Sequence, residues 1–74
     1  MMEVVVIRLF EAVILTNEGK LVLYVKTDHP DIEEATKQAK EAAKKIFVAH
    51  LMKVKSFGWA YLDKVSVVEE EKND

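Results

Sequence analysis

The first long apolar segment, residues 4–16, limits how this chain folds more than any other feature. It is rich in valine, isoleucine and leucine, and its large side chains fall at both odd and even positions. Such a composition favours a β-strand, in which successive side chains point to opposite faces of the sheet. A sheet built around this strand is therefore apolar on both faces, and each face needs a cover.

The next segments predict a β-hairpin followed by a helix. A turn at residues 17–20 leads into a second apolar strand at residues 21–27. Apolar residues spaced three and four apart then predict a helix from residue 30 to residue 50 or 52, with Asp28 as its N-terminal cap. The middle of the apolar side of this helix is alanine, so we expect a close approach to the sheet.

A third strand is predicted after the helix, because the pattern changes to a period of two over residues 53–68. We expect a bulge or bend near Glu11 in the first strand and a kink near Asp63 in the third. The acidic residues 69–74 have little to bury and are predicted to form a disordered tail. The domain is thus expected to span residues 1–68.

The order β-β-α-β predicts a two-layer α+β fold. A right-handed crossover from the second strand to a parallel third strand places the first strand in the centre, giving a three-stranded antiparallel sheet of order 2-1-3. One helix covers only one face, and an apolar face left in water is larger than soluble monomers normally expose. We therefore expect an oligomer, most simply a dimer that packs sheet on sheet. The candidate interface residues are Val4, Val6, Phe10, Ile14, Val22 and Tyr24.

Size and composition set further bounds. With 74 residues the chain forms one domain whose core is small, so a partner would also add buried area. The absence of cysteine excludes disulfides and thiol chemistry. No apolar run reaches the roughly 20 residues of a membrane span, and the N-terminal residues lack signal-peptide features, so we expect a cytoplasmic protein without membrane contact. Few amides and many Lys and Glu residues resemble thermophile usage.

A basic and aromatic stretch in the third strand is the most specific local motif. On a strand, the lysines and rings of residues 53–61 at odd positions point the same way, so the rings can stack bases while the lysines meet phosphates. Lysines in the second half of the helix extend this set. The candidate nucleic-acid-binding residues are Lys44, Lys45, Lys53, Lys55, Phe57, Trp59 and Tyr61.

Two other interpretations of the rings compete with this one. Phe57, Trp59 and Tyr61 can instead face the helix and fill the space beside its alanines, or they can lie in the dimer contact. Residues 55–62 partly resemble the signature of the RNA-recognition motif. Ser56 stands where that signature has glycine, and the β-β-α-β order lacks a second helix and a fourth strand, so membership in that family is not indicated.

We identify no catalytic residue, no metal site and no cofactor site. His29 lies between Asp28 and Asp31, but carboxylates at this place are also what a helix start requires. His50 near the helix end suits the helix dipole. With only two glycines, a phosphate-binding loop is excluded.

Three hypotheses for function follow. The first is a non-enzymatic interaction module that forms homodimers through its sheet and acts as an adaptor, regulator or assembly subunit. The second is a nucleic-acid-binding protein, favoured by the net charge of +5 in residues 35–68, where seven basic groups outweigh two acidic ones. The third is a small enzyme whose pocket lies at an oligomer interface.

Overall fold

The structure, a computed structural model, describes residues 5–54 and 58–73, with side chains for 5–50 and 58–72. Three strands and one helix follow the predicted order β-β-α-β. The elements are β1 (Val5–Thr16), β2 (Gly19–Thr27), α1 (Ile32–Val54) and β3 (Ala60–Asn73).

The three strands form one sheet of order β2-β1-β3. Both β2 and β3 run antiparallel to β1, which is the central strand. The predicted α+β fold and strand order are therefore confirmed. A two-residue turn at Asn17 and Glu18 joins β1 to β2, and the Thr16 hydroxyl accepts a hydrogen bond from the Glu18 amide at 3.0 Å.

The helix packs across one face of this sheet. Phe10 of β1 is 1% exposed and contacts Ala35 and Ala39 of α1, which are fully buried. Val25 of β2 and Val65 of β3 pack around this cluster. Because alanine has a small side chain, α1 lies close enough to the sheet for one phenylalanine to fill the space between the layers.

The start of α1 differs in detail from the prediction. The helix begins at Ile32, and its cap is Asp31 rather than Asp28: the Asp31 carboxylate accepts a hydrogen bond from the Glu34 amide at 3.3 Å. This is the usual bond from the third helical N–H to the capping side chain. Pro30 precedes the cap, where its fixed φ still suits the entry of the chain.

The boundary between α1 and β3 is the largest error of the prediction. The helix continues to Val54, and β3 begins at Ala60 rather than at residue 53. Over only a few residues, alternating polarity is compatible with a helix as well as with a strand. The pattern near residue 53 therefore did not show where the helix ends and the strand begins.

The prediction of a disordered acidic tail is wrong for residues 69–73, which form the last part of β3 and pair with residues 5–9 of β1. The physical reason is that β1 is 12 residues long, and β3 must extend this far to pair with its first half. Charged side chains are acceptable here because β3 is an edge strand.

Two register shifts interrupt the pairing of β1 with β3. They lie between Leu9 and Phe10 and between Val13 and Ile14, and the extra residues, Val68 and Asp63, are both on β3. The second shift is the kink expected near Asp63. The expected irregularity near Glu11 falls between the two shifts, while the pairing of β1 with β2 is regular there.

Within the described residues, no helix is sufficiently long and apolar to span a membrane.

Candidate functional site

The face of the sheet opposite α1 is called the open face here, and its centre is formed by odd-numbered residues of β1. Val5 at its end is 42% exposed, whereas Val13 is only 7% exposed because neighbouring strands flank it. The remaining aliphatic positions are half-buried. Within the described chain, nothing packs above them. The central row consists of Val5, Ile7, Leu9, Glu11, Val13 and Leu15.

The β2 side of the open face carries two apolar residues between two lysines. Val22 lies opposite Val13 and is 40% exposed, and Tyr24 lies opposite Glu11 and is 59% exposed. The Tyr24 hydroxyl donates a hydrogen bond to Glu11 Oε2 at 3.3 Å, which draws this carboxylate toward β2. The flanking lysines are Lys20, opposite Leu15, and Lys26, opposite Leu9.

The β3 side of the open face is acidic at one end and basic at the other. Its register places Glu71 beside Ile7, Glu69 beside Leu9, Ser66 beside Glu11, Lys64 beside Val13 and Tyr61 beside Leu15. The acidic end of β3 therefore lies level with Lys26 of β2, with one strand between them.

A shallow depression of about 180 Å³ lies at this acidic end. Ile7 and Leu9 form its floor, Lys26 one wall, and Glu69 and Glu71 the other. Among the described residues, none of these three charged groups has an ion-pair partner within 4.0 Å. Lys26 and the two glutamates are two strands apart, roughly 10 Å, so the three charges face the space above the sheet.

Two aromatic rings stand at the opposite end of the open face. Trp59 is 53% and Tyr61 is 51% exposed, and the rings are stacked with centroids 5.8 Å apart. Asn17 in the β1–β2 turn holds this segment. Its Oδ1 accepts a hydrogen bond from the Gly58 amide at 2.8 Å, and its backbone amide donates to the Trp59 carbonyl at 3.3 Å.

The predicted interface set is only partly on the open face. Val22 and Tyr24 lie there, but Val6, Phe10 and Ile14 are on the other face, under the helix, with exposures of 3%, 1% and 1%. The prediction chose the wrong face of β1, because the even-numbered face holds Phe10, which fits against the helix alanines. Val4 lies outside the described residues.

The predicted nucleic-acid-binding set is also divided. Trp59 and Tyr61 do not face α1, so the interpretation that they fill space beside its alanines is wrong. Lys44 and Lys45 are exposed on α1, on the far side of the sheet from these rings. The side chains of Lys53, Lys55 and Phe57 lie outside the described part of the structure. Lys20 and Lys64, which were not among the predicted residues, share the open face with the rings.

Arg8, whose role was not predicted from the sequence, is 5% exposed on the helix side of the sheet. Its guanidinium donates hydrogen bonds to Glu70 Oε2 at 3.0 Å and to the carbonyls of His29 and Pro30 at 2.8 and 3.2 Å. The hydrogen bond from Arg8 lowers the pKa of the Glu70 carboxyl. The available signal was an arginine inside a strand in which Glu11 and Thr16 are the only other polar residues.

His29 has a structural role in the described region, and His50 lines a cavity. His29 Nδ1 accepts a hydrogen bond from the Asp31 amide at 3.0 Å, and no group of three metal-ligating side chains is found among the described residues. His50 lies a turn before the end of α1 and borders a cavity of about 130 Å³ between α1 and β2, where Leu21, Ile46 and Phe47 are also lining residues.

Comparison with models of protein families, with curated proteins and with solved structures found no significant match.

Proposed function

We propose that this protein is a non-enzymatic interaction module that forms a homodimer through the open face of its sheet. The observation that carries the proposal is the row of aliphatic side chains along β1, flanked by Val22 and Tyr24 on one side and Tyr61 on the other. An exposed apolar row of this kind, interrupted here by Glu11, is typical of protein–protein interfaces. A charged rim and rings at the edge fit the usual anatomy of such contacts.

The size of the open face is compatible with a dimer. β1 has 12 residues, which at about 3.3 Å each give a length of roughly 40 Å, and three strands at about 4.8 Å give a width of roughly 14 Å. The footprint is therefore about 560 Å², and side-chain relief increases the accessible area above this figure. Standard interfaces bury roughly 600–1,000 Å² on each partner, so the flat footprint is just below this range and the side-chain relief brings the open face to its lower end.

A second copy of the chain is the partner that this small domain needs. Within one protomer, α1 covers only one face, and the fully buried large side chains are Phe10 and Ile14 among the described residues. Packing two open faces against each other places the central row in a shared core, at the spacing of about 10 Å found between stacked sheets. Each copy thereby gains the buried area that 74 residues do not supply alone.

Sedimentation equilibrium across a range of micromolar concentrations tests the proposal. The wild-type chain is expected to be a dimer, and Val22→Lys on the open face is expected to weaken the dimer at least tenfold in Kd, because it buries a charge. Val48→Lys is the matched control, since Val48 is 50% exposed on α1, compared with 40% for Val22. A monomeric wild type, or equal effects of the two variants, would overturn the proposal.

Binding of single-stranded nucleic acid is the second candidate function, favoured by the exposed stack of Trp59 and Tyr61 beside Lys64. Bases stack on exposed rings of this kind, and backbone phosphates bind a lysine that lies beside them. The test is quenching of Trp59 fluorescence by an oligonucleotide, with an affinity that falls steeply as salt is raised. Unchanged fluorescence at low salt would exclude this candidate.

A further inference from the structure

We propose that the two-fold axis of this dimer runs along β1, so that β2 of each protomer covers β3 of the other. The inference rests on the proposed function and specifies which residues meet across the interface. It is carried by the distribution of charge and of polar groups over the open face.

Two orientations of the axis are compatible with face-to-face packing in which the strands stay aligned. Residues that pair across the three strands are said here to lie at one level of the sheet. With an axis along β1, each level lies opposite the same level of the partner, and β2 faces the partner's β3. An axis across the strands instead brings β2 opposite β2 and β3 opposite β3. The two orientations therefore differ in which side chains are neighbours.

At the acidic end, the axis along β1 pairs opposite charges. Lys26 and Glu69 lie on either side of Leu9, at the same level of the sheet. Rotation about β1 places Lys26 opposite the partner's Glu69, and the pair occurs twice by symmetry. Each of these groups is exposed and has no ion pair within the described part of its own chain, so both are free to pair across the interface.

In the centre of the face, the same axis separates the two copies of Glu11. Its carboxylate accepts a hydrogen bond from Tyr24 and so leans toward β2. With the axis along β1, the two carboxylates lean in opposite directions, each toward the partner's Ser66, whose hydroxyl is a hydrogen-bond donor. With an axis across the strands at the level of Glu11, both carboxylates lean to the same side and repel each other.

At the aromatic end, the axis along β1 places a cation over a ring. Lys20 and Tyr61 flank Leu15 at one level, so Lys20 comes opposite the partner's Tyr61 and its stacked Trp59. A lysine over an exposed ring is attractive. The alternative axis packs β2 against β2 of the partner, and the charged groups of β2 on the open face are Lys20 and Lys26. The β2 side of that interface would therefore contain like charges only.

Charge reversal in mixed dimers tests the axis. Lys26→Glu and Glu69→Lys are each expected to weaken self-association about tenfold or more, because each places two like-charged pairs in the homodimer. An equimolar mixture of the two variants is expected to form predominantly heterodimers, because every facing pair is then of opposite sign. Native mass spectrometry gives the proportions of the three species.

The matched control is a mixture of Lys40→Glu with Glu69→Lys. It has the same net charges, but Lys40 is exposed on α1, away from the open face. This mixture is expected to give the statistical proportion of heterodimers, and an excess equal to that of the first mixture would overturn the assignment of the axis.

Failure of the axis and failure of the dimer are distinguishable. A monomeric wild type overturns the proposed function itself. A wild-type dimer with a statistical mixture of Lys26→Glu and Glu69→Lys leaves the dimer in place and overturns the axis along β1. Because the chain has no cysteine, Lys26→Cys and Glu69→Cys protomers treated with a short bismaleimide give a second readout. A 26-to-69 cross-link between chains supports the axis, and its absence in a dimeric sample contradicts it.

Discussion

Arg8 in the central strand and Glu70 near the end of β3 form an ion pair in which Nε and Oε2 are 3.0 Å apart. The arginine side chain is 6% exposed and that of the glutamate 35%. Because the same guanidinium also binds the carbonyls of His29 and Pro30, it links β1, β3 and the segment that leads into α1. One charged side chain thus connects both layers of the domain.

Replacing Arg8 is expected to destabilise the fold. Arg8→Ala removes three hydrogen bonds and leaves two part-buried backbone carbonyls without this donor, a loss of about 1.5–3 kcal/mol in the free energy of unfolding. Arg8→Lys is expected to recover only part of this loss, since an ammonium lacks the planar fork that reaches all three acceptors. Urea denaturation of the three chains gives the comparison, and equal midpoints would show that the contacts contribute nothing.

Stability is expected to fall in acid through the Glu70 carboxyl. Its pKa is lowered in the folded state, mainly by the hydrogen bond from Arg8, so the unfolded chain binds more protons in the acidic range. The contribution is complete above the ordinary glutamate pKa of about 4.3 and is lost as the pH falls through the folded value. Unfolding measured from pH 7 to pH 2.5 shows the loss.

The matched variants for this titration are Glu70→Gln and Glu41→Gln. Glu70→Gln is expected to flatten the dependence on pH below about pH 4, because the paired carboxyl is gone. Glu41 is an exposed residue of α1, and its replacement is expected to keep the wild-type profile. Identical profiles for all three chains would contradict the role of Glu70.

The close approach of α1 to the sheet predicts a strict size limit at Ala39. Ala39→Leu inserts three carbon atoms against Phe10 at a fully buried position, and is expected to lower the free energy of unfolding by about 1–3 kcal/mol. Ala49→Leu is the control, because Ala49 is exposed on the same helix and its replacement should change stability by less than about 0.5 kcal/mol. Thermal unfolding followed by circular dichroism measures both.

Removal of residues 69–74 tests whether the acidic end of β3 is part of the fold. The truncated chain lacks Glu70 and leaves residues 5–9 of β1 without their partner on this side, so we expect a clearly lower unfolding midpoint. Replacing the acidic side chains at positions 69 and 71 with glutamine keeps the strand and serves as the comparison. A truncated chain as stable as the full one would show that the segment behaves as a tail.

Several features of the fold were predictable from local pattern. The turn at Asn17, the period of the helix and the apolar central strand gave the order β-β-α-β, and the handedness of the crossover gave the strand order. The limits of β3 were not predictable, because they depend on pairing with a strand that lies 44 to 68 residues earlier in the chain. Charged residues such as Glu70 and Lys72 form a strand there only because β1 provides the other half of the ladder.

The candidate site was likewise predictable only in part from local pattern. The need for cover on both faces of β1 was evident from its apolar residues at odd and even positions, since side chains alternate along any strand. The choice of the face that α1 covers belonged to the tertiary structure. It depends on the fit of Phe10 against Ala35 and Ala39 and on the hydrogen bonds of Arg8, which join residues far apart in the chain. Alternation defines two faces, and only packing distinguishes the inner face from the outer one.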